Sequence, residues 1–220
     1  MSVHDSWIAV QGVTIDVVLE ELGFVESGTV GHPLGVARPY CWGSKPGGWT
    51  IICANFNGLA HIENVRGLSR HGMVLACDFQ DQVDGCTSMA IAVPNGEKLW
   101  EIGAANDEIF VTGTPPPELA SIRDHYAEKL AQNPEYVWMY EVPIDLAKEL
   151  CGFRHDEDES PFRGLLPRSD SRWHRNLKLA VHPKVQPSKR PPADGSLKSQ
   201  WPLIAFIVIV VLWALSPLLP

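Results

Sequence analysis

The densest chemistry in this sequence is His155-Asp156-Glu157-Asp158-Glu159, an imidazole and four carboxylates that could offer ligands to a divalent cation. Adjacent side chains of one segment cannot all turn inward, so the run is expected to be a solvated hinge behind a helix. A Cys–His nucleophile pair needs proximity in space only, which leaves Cys41 with His32 or His61 as candidates. Eight histidines and five cysteines make such pairings easy to propose by chance. Gly28-Thr29-Val30-Gly31-His32-Pro33-Leu34-Gly35 is glycine-rich, but its spacing fits no phosphate loop and a surface loop is expected. The chain holds no GxxxxGK[ST], GxSxG or HExxH and no zinc-spaced Cys or His pairs. No catalytic residue, metal ligand or cofactor is therefore assigned. Cys41, Cys53, Cys77, Cys86 and Cys151 form no CxxC pair and are expected to be small buried hydrophobes in a reducing compartment.

Recognition has a better candidate than catalysis. Tyr40, Trp42, Lys45 and Trp49 surround a Gly-Pro turn, and aromatic side chains on loops bury large area with few rotamers. The competing expectation is that Trp42 and Trp49 begin strands and point into the core. Residues 1–162 carry nine Lys and Arg against twenty-four Asp and Glu, a net of −15, whereas residues 163–200 carry nine against two. The acidic part repels phosphate, so nucleic acid is an unlikely partner and a basic protein a suitable one.

Alternating and helical spacings supply the elements that must position these residues. Trp7 to Val10 and Trp49 to Ala54 are expected strands; Met73, Leu75, Cys77 and Phe79 share one face of another, with Asp78 on the opposite face. Thr87 to Val93 turns through Pro94-Asn95-Gly96 into Lys98 to Ile102, and Ile109 to Thr112 is a further strand. Thr14 to Leu22 before Gly23, and Leu119, Ile122, Tyr126 and Leu130, have helical spacing; Leu59 to Arg70 is a weaker helix. Residues 25–48 read as Gly- and Pro-rich loop, Tyr136 to Tyr140 as an aromatic strand, and Pro143 as the opening of a last helix that stops at Gly152. The fold class expected is α+β, a mainly antiparallel sheet with about four helices packed on it, over residues 1–156.

The opening Trp7-Ile8-Ala9-Val10-x-Gly12 and the closing Leu146-Ala147-Lys148-Glu149-Leu150-Cys151-Gly152-Phe153-Arg154-His155-Asp156 resemble an uncharacterised group of bacterial proteins. The resemblance covers about residues 7 to 156. It implies a bacterial α+β domain with no assigned reaction, so no catalytic residue is carried over.

Beyond that domain, residues 157–200 are expected to be a hinge and a basic, Pro-rich, disordered linker. Residues 201–220 then run without a charge, Ser216 being their sole polar side chain. Trp201, Leu203, Ile204, Phe206, Ile207, Val208, Ile209, Val210, Val211, Leu212, Trp213 and Leu215 make a helix that would reach roughly 28 Å, close to the thickness of a bilayer core. The basic flank places the N-terminal side in the cytoplasm. The expectation is a tail-anchored, single-pass membrane protein whose acidic domain binds a protein partner, with a membrane-tethered hydrolase using an unrecognised Cys/His site as the alternative.

Overall fold

Trp7-Ile8-Ala9-Val10 is apolar at every position, so the strand that contains it needs cover on both faces. The computed structural model, which describes residues 4–32, 40–54, 58–82, 85–105, 108–135 and 138–171, provides it. Strands β1 (His4–Gln11), β2 (Phe24–Gly31), β3 (Tyr40–Lys45), β4 (Trp49–Ala54), β5 (Met73–Gln82), β6 (Gly85–Val93), β7 (Trp100–Ala105), β8 (Glu108–Gly113) and β9 (Phe162–Pro167) form one sheet. Its order is β2-β9-β3-β4-β1-β5-β6-β7-β8, antiparallel at every step.

Helices α1 (Ile15–Leu22) and α2 (Ile62–Ser69) cover one face, and α3 (Glu118–Gln132) and α4 (Glu141–Cys151) the other. Side chains alternate along each strand, so β1 sends Ile8 and Val10 to Val18, Leu22, Val65 and Leu68 of α1 and α2. It sends Trp7 and Ala9 to the opposite core, with Val142, Leu146 and Cys151 of α4. Trp7, Ile8, Ile51, Ile52 and Ile102 are at most 1% exposed, and burial of each large apolar side chain stabilises the fold by about 1.5–3 kcal/mol. The fold is thus α+β, with four helices on a large antiparallel sheet. Among the described residues no helix is long and apolar enough to cross a membrane; the 201–220 segment and the linker beyond Ser171 lie outside the described residues.

Helix ends follow local chemistry. Gly23 and Gly152 take left-handed conformations after α1 and α4, and the Gly152 N–H donates to the Lys148 carbonyl at 2.7 Å. Pro143 is the third residue of α4, where no intrahelical N–H bond is needed, so the helix begins two residues before the proline.

Three stretches differ from the sequence expectation. Residues 25–48 contain β2 and β3, whose glycines and polar residues sit in an edge strand and a hairpin. Gly43 serves a close approach: a Cβ there would stand 2.9 Å from the Phe162 ring. Of Tyr136 to Tyr140, Met139 and Tyr140 form the turn that leads into α4. Residues 157–171, read as the start of the linker, belong to the fold, because β9 inserts between β2 and β3.

Candidate functional site

The segment behind α4 carries most of the polar chemistry, and Gly152 aims it back over the sheet. Phe153 enters the core edge-on to Trp7 at 5.3 Å and beside Phe162 at 5.6 Å. Two residues on, His155 is 7% exposed, with Nε2 3.4 Å from Asp5 Oδ2 and its ring 5.6 Å from that of Phe79. Among the described residues His155 Nδ1 has no hydrogen-bond partner. Lys45, reaching in from the end of β3, donates to Ser160 Oγ at 2.6 Å and ion-pairs with Asp158. Its ammonium also lies 5.8 and 5.6 Å from the Phe153 and Phe162 ring centres. Burial works against the Asp158 charge, but the bonds from Lys45 and Ser160 outweigh it and hold the carboxyl below its usual range.

Arg154 is the hub of the same segment. Its side chain is 10% exposed and meets four carboxylates: Glu141 at 2.5 Å, Asp145, Asp156 at 2.7 Å and Glu157 at 3.3 Å. Asp145 also accepts the Tyr126 hydroxyl at 2.5 Å, which ties α3 to α4. Burial alone would lower the Arg154 pKa; the bond to Asp156 and the charges of Glu141 and Asp145 raise it instead. Asp156 answers with a depressed pKa, the opposing effect of burial being overcome chiefly by Arg154. Each carboxylate of the 155–159 run except Glu159 is thus turned to its own cation, Lys148 taking Glu157 at 2.5 Å. Among the described residues no three His, Cys, Asp or Glu side chains are grouped to hold a metal ion. An open depression of about 250 Å³ lies between Lys148, Gly152, Arg154 and Glu157 to Glu159.

The cysteine and histidine candidates are dispersed. Cys41 and Cys53 face each other across β3 and β4 in the α3/α4 core. Burial, the hydrogen bond with Cys41 and the Asp5 charge push the Cys53 thiol well up, and burial takes Cys151 up to about 12. Thiols held protonated are weak nucleophiles. His61 caps α2 by accepting the Glu63 N–H, on the opposite side of the sheet from Cys41, and His32 is exposed just past β2.

The aromatic loop is the β3–β4 hairpin, closed by a single 3-10 turn, Pro46–Gly48. Tyr40 and Trp49 are buried in opposite cores and Lys45 is committed to Asp158. Trp42 stays half-buried, its indole N–H donating to Glu26 Oε1 at 3.0 Å and its ring lying under Arg163 at 5.6 Å.

Sequence reasoning placed Asp78 on the second face of its strand but gave it no role; it lies across β1–β5 from Ser6 on the α1/α2 side. Burial drives its pKa from the ordinary 3.8 up to about 6, against a hydrogen bond from Ser6, and Asp5 adds to the rise. Its Oδ1 has no hydrogen-bond partner among the described residues. A raised folded pKa means that stability is full below the unfolded value near 3.8 and is lost as pH climbs through about 6. Asp78→Asn is expected to stabilise the fold by about 2 kcal/mol at pH 7.5 and by almost nothing at pH 3.5. Urea midpoints of the two proteins at both pH values measure this; an equal gain at both would remove ionisation as its cause. The sequence signal for the residue is an acid that follows Val74 and Ala76 on the second face of the strand.

Comparison with protein families, with curated proteins and with solved structures returns no match for this chain.

Proposed function

We propose that this chain is a membrane protein anchored by its 201–220 segment, whose acidic domain works by binding a basic protein partner. The observation that carries the reading is how the charges are used. Among the described residues eight lysines and arginines sit in internal ion pairs: Lys45, Arg70, Lys98, Arg123, Lys148, Arg154, Arg163 and Arg168. Asp16, Glu97, Glu108, Glu128, Glu149 and Glu159 are exposed. The negative surplus therefore faces solvent, where it attracts and orients a cationic surface. The uncharged 201–220 segment and its basic flank support the anchor, with the domain on the cytoplasmic side.

Full-length chain retained in the membrane pellet through alkaline carbonate should capture its partner at low salt. It should release that partner as ionic strength brings the Debye length to ~8 Å. Single replacement of His32, Cys41, His61 or His155 should leave capture intact. Loss of function from one such replacement, with fold and capture preserved, would favour the hydrolase reading, and release of the chain by carbonate would remove the anchor.

A further inference from the structure

Strand β8 ends the sheet, and among the described residues no strand pairs with its outer side. Natural edges are usually blunted by a bulge, a charge or a proline, because an open row of N–H and C=O groups recruits other strands. The opposite edge is blunted: β2 breaks register between Glu26 and Val30, Gly28 has a φ of +79°, and Glu26 is engaged by Trp42 and Arg163. β8 keeps a single register with β7 from Glu108 to Gly113 and runs Ile109-Phe110-Val111-Thr112 without lysine or proline. Leu99, Phe110 and Val111, each 44–45% exposed, lie at this edge.

We propose that β8 is a self-association strand, pairing antiparallel with β8 of a second copy about a two-fold axis at Phe110. The occupant follows from register and charge. An axis normal to the sheet keeps each face on its own side, so opposed residues must share a face. Ile109 packs on the α3/α4 side and Phe110, one residue on, belongs to the other. Centred on Phe110, the pairing sets Phe110 opposite its own copy and Ile109 opposite Val111. Glu108, the strand's one charge, then lies opposite Thr112 rather than opposite itself. Aromatic and β-branched pairs of this kind are the favourable units of an antiparallel sheet, and opposed like charges the unfavourable ones. A six-residue pair spans about 20 Å and falls short of the roughly 800 Å² per partner of a standard interface, so the association is of the weak, transient class. The surplus of acids opposes it, so self-association strengthens as salt is added, whereas binding of a basic partner weakens.

Cysteine scanning of the full chain tests the register, since Cys41, Cys53, Cys77 and Cys151 are buried. Under tetrathionate, F110C should give several-fold more covalent dimer than T112C or than V30C on the opposite edge. The yield should rise with salt, and adding V111K to F110C should bring it down to the V30C level, with near-UV circular dichroism confirming that each variant is folded. Cross-linking of F110C no greater than that of V30C, a maximum at T112C, or indifference to V111K would overturn the proposal. Partner capture is read separately, so either idea can fail alone.

Discussion

A chain stopped after Asp156 is expected to lose cooperative folding, while one stopped after Ser171 keeps it. β9 lies between β2 and β3, so its removal leaves β2 with no neighbour in the sheet. It takes away Phe162 and Leu165, both fully buried, whose burial is worth about 1.5–3 kcal/mol each. The cut also removes Asp158 and Ser160, which hold Lys45, and the ladders that join β9 to β2 and β3. Together these losses reach the 5–15 kcal/mol that holds a typical domain. Urea titration followed by tryptophan fluorescence distinguishes the two chains: a sharp transition for both would show that β9 is dispensable.

Why that strand was missed in the sequence is physical. Phe162-Arg163-Gly164-Leu165-Leu166-Pro167 carries arginine, glycine and proline, and it opens a stretch whose composition is basic and Pro-rich. Its strand character comes from neighbours more than a hundred residues upstream, and composition cannot register a partner at that distance. The same holds for β2, where Glu26, Ser27, Gly28 and Gly31 suit an edge and resemble a loop when read alone. By contrast β1, β4, β5 and the β6–β7 hairpin were legible, because runs such as Trp7 to Val10 and Thr50 to Ala54 contain little that tolerates water. The helices announced themselves by spacing, Leu119 to Tyr126 in α3 and Leu146 to Leu150 in α4. At the polar segment the residues were visible and their partners were not. Asp5 meets His155 and Lys45 meets Asp158 across more than a hundred residues, so of the run that read as solvated His155 is buried and Asp158 is drawn to Lys45, while Asp156, Glu157 and Glu159 stay at the surface.

Arg154, 10% exposed, is the charge that depends most on such partners, and Arg154→Met is expected to destabilise the fold by about 3–5 kcal/mol. Methionine keeps much of the side chain's length, so the loss is electrostatic before it is steric. It strands Glu141 and Asp145, whose side chains are 14% and 26% exposed, and frees the α4 carboxylate that holds the Tyr126 hydroxyl. The pH dependence identifies the cause. Asp156 has a folded pKa below the ordinary 3.8, so in the parent chain its contribution is full above that value and is lost as pH falls through the depressed one. Without Arg154 that contribution is absent at all pH values, and protonation relieves the stranded carboxylates. The gap between parent and variant should therefore be widest near pH 7 and shrink steadily below pH 4. Adding Glu141→Gln and Asp145→Asn to the variant should recover part of the loss at neutral pH, because the charges left behind are then gone. Urea midpoints from pH 3 to pH 8 read all three proteins; a gap that stays constant with pH, or no recovery in the triple variant, would assign the damage to packing and not to the ion-pair hub.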